Sequence, residues 1–471
     1  MTNETKGTAR FFRIQTLGCK LNQLESEAVS DAFLNSGFIQ SGTGNEELGT
    51  EDERKEKPAV IVINTCTVTS KADQKARRVI RKALRGFPEA RVIVTGCYAQ
   101  LNKNDIIKLE TADKHRLFVV EKDKIIDFIK SMDAGNSALI SSRFSTPHSA
   151  FQFNPRRFSQ HTRSFLKIQD GCDKHCTYCR IRLARGKSVS LDAKEVLSRL
   201  RVLEETHAEA VFTGVNICQY RDLSLTGAAV TNGQGEERNL AELLDFLLSG
   251  TKKIAVRLSS LAPDSVDEQL VRVLSHQRIR PHFHLSVQSC SDEILEKMGR
   301  TYNSQAVQNA VKLLRGAKDD PFIACDIITG FPGETQAEFE KTFNICRKLD
   351  FAWIHVFPYS KRPGTPAFLF SGKVHESDVA LRVRLLTDLA KQGKKNYVKR
   401  WIGREVDVLP EKPEHRLKKT NNTGICCGTS ENYLKVIVMC KEEAPAAGTS
   451  LRCRIIKESD IEDFNAVAEF V

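Results

Sequence analysis

The sequence predicts an α/β protein that ends in a small all-β module, and three observations carry this. Short apolar runs alternate with amphipathic stretches through the first 140 residues, the pattern of a parallel sheet flanked by helices. The same alternation recurs six times after residue 160. From Trp401 the helical period vanishes and short strand-like runs follow one another.

Strands are expected in the first block at 11–16, 58–64, 90–95 and 116–120, with helices at 23–36 and 71–85. The polar, glycine-containing stretch 41–57 reads as a surface insertion, and 141–160, with Pro147 and Pro155, reads as a linker. The second block offers strands at 165–169, 209–214, 254–259, 282–287, 322–329 and 353–358. Helices should follow each of them, at 191–205, 239–248, 264–275, 304–316, 335–349 and 374–400, with a long loop at 221–237. Six βα units joined by right-handed crossovers make a partial (β/α)6 barrel, not the closed eightfold one. Strands at 404–409, 424–429, 434–439 and 449–456 make the small barrel, and 458–471 reads as an acidic tail. The domains are therefore expected at 9–140, 158–398 and 401–459.

An apolar share of 41% with 28% charged residues is ordinary globular composition and excludes a disordered chain. The longest apolar runs fall far short of the ~20 residues that span a bilayer, and residues 1–10 are too polar for a signal peptide. A cytoplasmic protein without membrane contact is expected. The net charge of +12 is clustered: 71–91 holds eight basic against two acidic residues, 156–187 nine against two, and 382–404 eight against one. Such clustering is an electrostatic footprint for phosphates, against the plainer reading of solvated helix faces.

Fourteen cysteines without a secretory signal point to metal ligands or catalytic thiols more than to disulfides. Three of them stand in the word Cys172-Asp-Lys-His-Cys176-Thr-Tyr-Cys179, after the first strand of the second block. A structural zinc site needs four ligands, and no fourth cysteine is nearby, although His175 could serve. Three thiolates on one loop instead suit a cubane iron–sulfur cluster with one iron left open. A second set is dispersed: Cys19, Cys66 and Cys97 each follow one of the first three strands. The C-terminal ends of parallel strands form one rim, so these thiols can meet although far apart in sequence. Three unrelated buried cysteines would be the plain alternative.

The cysteine loop behind the first strand of a six-unit βα barrel resembles the radical S-adenosylmethionine superfamily. The full set of words resembles the methylthiotransferase family over 11–456. They are Thr16-Leu-Gly-Cys19-Lys-Leu-Asn22-Gln-Leu-Glu25-Ser26, Asn64-Thr-Cys66, Thr95-Gly-Cys97 and the triple-cysteine loop. Ala184-Arg185-Gly186, Thr213-Gly-Val-Asn216, Arg257-Leu-Ser-Ser260 and Gln288-Ser-Cys-Ser-Asp292 follow. Gly330-Phe-Pro-Gly333-Glu334-Thr and Pro358-Tyr-Ser-Lys-Arg-Pro-Gly364-Thr-Pro366 complete the series.

By this resemblance the first domain is flavodoxin-like, the second a TIM-like partial barrel, and the third similar to the RNA-binding TRAM domain. Cys172, Cys176 and Cys179 would hold a 4Fe-4S cluster that binds S-adenosylmethionine, and Cys19, Cys66 and Cys97 an auxiliary 4Fe-4S cluster. S-Adenosylmethionine would serve both as methyl donor and as radical source. Tyr178, Gly214, Asn216, Arg257, Gln288, Gly330 and Gly333 would lie at the cofactor, and Arg185, Lys361 and Arg362 at the substrate. The partners implied are the tRNA anticodon loop, an electron donor such as flavodoxin or ferredoxin, and a sulfur donor.

Cys290 departs from the family's usual glycine in its word and is expected to be a tolerated change. Cys218, Cys325, Cys346, Cys426, Cys427, Cys440 and Cys453 have no ligand-like company and read as small buried hydrophobes. The start His355-Val-Phe-Pro-Tyr-Ser favours the branch that methylthiolates C2 of N6-threonylcarbamoyladenosine at tRNA position 37. The same reaction on N6-isopentenyladenosine stays open, as do a non-catalytic iron–sulfur RNA-binding protein and a zinc-dependent one.

Overall fold

The computed structural model describes residues 10–42, 57–109, 115–133, 150–155, 163–222, 239–411, 425–439 and 449–471. The expected linker lies mostly outside these residues, as do most of both expected surface loops and Cys440. The chain divides into two compact units. The first comprises residues 1–160 with two short later segments, 170–172 and 180–187.

In the first unit, β1 (Phe11–Thr16), β2 (Ile39–Gln40), β3 (Val60–Thr65), β4 (Arg91–Gly96) and β5 (Leu117–Val119) form a parallel sheet in the order 2-1-3-4-5. This is the strand order of flavodoxin-like doubly wound sheets. The helices are α1 (Lys20–Asn35), α2 (Ser70–Gly86), α3 (Cys97–Leu101), α4 (Lys103–Ile107) and α5 (Ile125–Asp133). All six residues of β3 are buried, as expected for a central strand covered on both faces. Against that sheet α2 lays Ala76, Ile80 and Ala83, four and three residues apart, onto Ile61, Ile63, Val92 and Val94. Ile80 is fully buried, so Ile80→Ala would cost about 2–5 kcal/mol. Register sets the rim: Thr16 pairs with Asn64, and Thr65 with Gly96, so the three strands end level.

The first unit also takes in α6 (Ile181–Arg185). That short helix was not legible in the sequence, because five residues are too few to show a period.

The barrel strands of the second unit are β6 (Ser164–Lys167), β9 (Glu209–Thr213), β10 (Ala255–Leu258), β11 (His282–Gln288), β12 (Phe322–Thr329) and β13 (Trp353–Pro358). Two-residue strands β7 (Gln169–Asp170) and β8 (Val189–Ser190) intervene. The six long strands run parallel in two groups of three, β10-β9-β6 and β11-β12-β13. Only isolated bridges, Val256 to Ile279 and Leu261 to Leu285, join the groups, which makes the open partial barrel that was expected. Helices α7 (Ala193–Glu204), α8 (Leu240–Gly250), α9 (Glu268–Leu274), α10 (Asp292–Lys297), α11 (Ser304–Ala317), α12 (Gln336–Lys348) and α13 (Glu376–Trp401) alternate with them. Most begin at a polar side-chain cap: Asp192, Asn239, Asp267, Asn303 and Thr335 each accept a backbone N–H of the first turn.

The last part of this unit is a closed barrel of β14 (Glu405–Glu411), β15 (Ile425–Ser430), β16 (Lys435–Met439), β18 (Ala466–Phe470) and β17 (Leu451–Glu458), in that order. Four strands and an acidic tail were expected. Instead the tail supplies β18, which pairs parallel to β16 and antiparallel to β17 and closes the barrel. Ala466 and Ala468 point into the core and are fully buried. Their small side chains carry too little hydropathy to stand out against the acidic neighbours. Val406, Val408, Val436 and Val438 of this barrel share one core with Phe322, Ala324, Tyr397 and Trp401 of β12 and α13.

Candidate functional site

In the first unit the level strand ends place Cys19, Cys66 and Cys97 on one rim. Cys19 is the N-cap of α1, Cys66 follows β3 directly, and Cys97 opens α3. Two glycines make the approach possible. Gly18 has φ +118° and a Cβ there would stand 2.7 Å from Cβ of Cys66. Gly96 has φ +95° and a Cβ there would stand 2.4 Å from the carbonyl oxygen of Thr65. Neither position tolerates a side chain, for reasons of both conformation and space. Burial pushes the Cys66 thiol up to about 12, with Cys19 and Cys97 adding to the same direction.

Asn22, one turn along α1, ties the three words together. Its amide donates to the carbonyls of Leu17 and Thr65 and to Oδ1 of Asn64, at 3.0, 3.0 and 3.1 Å. Its own Oδ1 accepts from Sγ of Cys19 at 3.5 Å and from Arg185 at 3.4 Å. Arg185, carried by α6, donates from Nε to Sγ of Cys97 at 3.2 Å. Its Nη1 bonds Glu25 at 2.9 Å and Asp170 at 3.1 Å. Lys122 completes the network, 3.3 Å from Glu25 and 3.4 Å from Asp170. Burial alone would lower the Arg185 pKa, but the charges of Cys97, Glu25, Asp170 and Cys19 hold it well above its ordinary value.

The side chain of Arg185, expected at the substrate, is 2% exposed and turned toward the thiols. Asn22, Glu25, Asp170 and Lys122 were not singled out from sequence. The first two were legible in principle, because they stand three and six residues after Cys19 on one helical face.

Cys172 donates its backbone N–H to the carbonyl of Gly186 at 3.1 Å, within the first unit. The following residues, 173–179, belong to the second unit and are pinned from several sides. Backbone N–H of Asp173 reaches Gln219 at 3.1 Å, and Lys174 pairs with Asp264 at 3.2 Å. Thr177 donates from N to the Met298 carbonyl and from Oγ1 to that of Lys297, and it accepts from N–H of Ala367. Tyr178 accepts from Arg300 at 2.5 Å and packs edge-on to Phe331. Cys179 N–H closes a turn onto the Cys176 carbonyl at 3.1 Å. Loops from several later strands thus hold one short segment, the end of the βα units where such folds do their chemistry.

The remaining expected contacts divide. Gly214 sits where a Cβ would meet Gln169 at 2.9 Å, and the Asn216 N–H bonds Oε1 of the same Gln169. Gln288 takes φ +67°, a left-handed conformation unusual outside glycine, two residues before the departing Cys290. Gly330 and Gly333 are also left-handed. The Gly330 N–H bonds the buried Glu334 carboxylate at 2.6 Å, which Arg382 also holds, at 2.8 Å. Lys361 lies over the Phe368 ring and Arg362 is buried.

Arg257, expected at the cofactor, is engaged within the fold. It is 1% exposed, bonds Glu209 with two donors at 2.7 and 3.0 Å, and touches the Ser430 carbonyl of the closed barrel. Cys218, Cys325, Cys346, Cys426, Cys427 and Cys453 are all buried, as is Cys290. Among the described residues no three His, Cys, Asp or Glu side chains converge closely enough to ligate a single metal ion. Among the described residues no helix is long and apolar enough to cross a membrane.

Residues 166–346 match the Radical SAM superfamily, and residues 11–117 match Uncharacterized protein family UPF0004. The chain is 36% identical to threonylcarbamoyladenosine tRNA methylthiotransferase MtaB of Treponema pallidum, over 95% of this chain and 99% of that one. It is 34% identical to the protein of the same name from Thermotoga maritima, over 90% of each. The tRNA-2-methylthio-N(6)-dimethylallyladenosine synthase of Agrobacterium fabrum is 29% identical, over 85% of this chain and 86% of that one. Two thiol sets, the open βα barrel and these relationships agree: the chain belongs to the radical SAM tRNA methylthiotransferases.

Proposed function

We propose that this enzyme places a methylthio group on C2 of N6-threonylcarbamoyladenosine at position 37 of tRNA. The observation that carries the reading is the level rim of Cys19, Cys66 and Cys97, in a chain that also carries the 172–179 loop. Identity of 36% to a threonylcarbamoyladenosine enzyme along nearly the whole chain supports the choice of base.

Cys172, Cys176 and Cys179 would hold one 4Fe-4S cluster with an open iron for S-adenosylmethionine, and Cys19, Cys66 and Cys97 would hold the other. Bound there, such clusters supply one-electron reduction of S-adenosylmethionine and a sulfur for transfer. The chain's own residues set the conditions. The positive charge of Arg185 beside Cys97 offsets the negative charge of a buried thiolate set, and Glu25 and Asp170 keep that guanidinium fixed. Asn22 orients the Cys19 side and fixes the two strand ends against each other. Tyr178, Phe331 and Tyr359 pack as an aromatic group that ties the 172–179 loop to the turn at Phe331. S-Adenosylmethionine serves as methyl donor and as radical source, so two molecules are consumed per product.

Nucleoside mass spectrometry of tRNA from cells with and without this chain tests the reading. Only cells with it should contain 2-methylthio-N6-threonylcarbamoyladenosine. Appearance of the 2-methylthio-isopentenyl nucleoside instead would reassign the substrate, and loss of neither nucleoside on deletion would overturn the reaction.

A further inference from the structure

Helix α2 carries six exposed basic residues: Lys71, Lys75, Arg78, Arg81, Lys82 and Arg85. Five of them, at 71, 75, 78, 82 and 85, follow steps of four, three, four and three, so they fall on one face. From residue 71 to residue 85, at about 1.5 Å per residue, that stripe runs roughly 21 Å. The helix has one acidic residue, Asp73, and it is turned inward to accept from Thr67 at 2.8 Å. Arg77 is also turned away, toward the Tyr98 hydroxyl at 2.9 Å.

An ordinary solvated helix interleaves acids with bases, because i,i+4 pairs of opposite sign stabilise it and like pairs destabilise it by about 0.2–0.5 kcal/mol each. This helix has only the second kind on its outer face. Lys71 and Lys75 also stand near the positive end of the helix dipole, where a cation is unfavourable. The helix folds in spite of these charges, because Ala76, Ile80 and Ala83 anchor its other face. An uncompensated row of cations with flexible stems fits a ligand that is itself a row of anions. The stripe begins five residues beyond Cys66.

We propose that this face of α2 is a docking surface for the phosphate backbone of the tRNA substrate. The inference rests on the tRNA reading above and specifies where the chain grips the RNA. Releasing condensed counterions by such a row makes binding salt-dependent, with a slope of about −0.7 per phosphate contact for single strands and −0.9 for duplexes.

The test compares wild-type holoenzyme with Lys75→Gln/Arg78→Gln/Lys82→Gln, and with a control of equal charge change at exposed positions elsewhere, Lys252→Gln/Arg272→Gln/Lys312→Gln. Unmodified substrate tRNA is titrated from about 50 to 200 mM salt. The α2 variant should bind roughly tenfold or more weaker, with a salt slope shallower by about two. Its iron content and tRNA-free cleavage of S-adenosylmethionine should match wild type, which establishes that it is folded. Unchanged affinity and slope would overturn the docking surface, as would an equal loss in the control, which would make net charge the cause. Wild-type enzyme that fails to bind tRNA at all would overturn the substrate reading and the docking surface with it.

Discussion

Arg185 and Cys97 are 88 residues apart in sequence, yet Nε of the one donates to Sγ of the other at 3.2 Å. The same guanidinium satisfies two buried carboxylates, Glu25 and Asp170. A charge removed from water is strongly destabilising when its partner is deleted, by about 3–5 kcal/mol, because the other charge stays behind. We therefore expect Arg185→Met to lower the thermal midpoint and to weaken iron retention by the Cys19, Cys66 and Cys97 set. Arg185→Lys keeps the charge but not the fork geometry, and should recover part of both. Iron analysis alongside a melting curve checks this; a variant with wild-type iron would show that Arg185 is only a packing residue.

Two separate thiol sets imply two separate metal inventories. Anaerobic reconstitution should give about eight irons per chain. Replacing Cys172, Cys176 and Cys179 by Ala should leave about four and abolish cleavage of S-adenosylmethionine. Replacing Cys19, Cys66 and Cys97 should also leave about four, with cleavage retained and methylthio transfer lost. Unchanged iron in either triple variant would sink the two-cluster arrangement.

Gly96 offers a sharper probe of the rim than its cysteines do. Gly96→Ala asks for a Cβ where the Thr65 carbonyl and the Asn64 amide already stand within 2.6 Å, at a φ that alanine avoids. The strand ends must separate to admit it. Iron bound by the first unit's thiols should fall several-fold, while iron held by the 172–179 loop should stay. Full occupancy of both sets in this variant would mean that the rim is more compliant than its packing indicates.

Acid should act on the second unit through Glu209. Burial raises its pKa, but Arg257, Arg280 and Arg163 outweigh burial and hold the carboxylate at about 2, below the ordinary 4.5. A depressed folded pKa contributes stability that is present above the unfolded value and is lost as pH falls from about 4.5 toward 2. The difference is worth about 3 kcal/mol. The chain's two tryptophans, Trp353 and Trp401, pack in or against the same core, so their fluorescence reports its unfolding. Denaturant midpoints should fall between pH 5 and 3.5 in wild type. In Glu209→Gln they should start lower and fall less; parallel pH profiles for the two proteins would exclude this group as the origin.

Much of the frame was legible because period and capping are local. Strands 322–329 and 353–358 begin and end where alternation and turn residues put them, and Asn239 with Glu242 forms the capping box its spacing announces. The rim of Cys19, Cys66 and Cys97 was legible from topology, since parallel strands share one C-terminal edge. The burial of Arg185 was not legible because nothing local marks a basic residue in a short helix as buried; only Glu25 and Asp170, distant in sequence, make that burial tolerable. The burial of Arg257 was hidden for the same reason, its partner Glu209 lying on the neighbouring strand. The strand Ala466–Phe470 was hidden because its inward residues are alanines and a parallel partner leaves no hairpin turn to announce it.

The core that Tyr397 and Trp401 share with the closed barrel has a mechanical meaning. Cutting the chain near residue 400 would expose Phe322, Tyr397 and the Arg257–Glu209 pair at once, so it would not trim off a module; it would tear a surface open. The second unit should accordingly melt in a single cooperative transition. A ligand that grips the closed barrel pulls directly on β12 and α13; Gly330 follows the first directly, and its neighbour Val379 lies on the second. Within that unit the barrel is a bearing wall, and any load placed on it passes through the same beams that lead to the Gly330 turn.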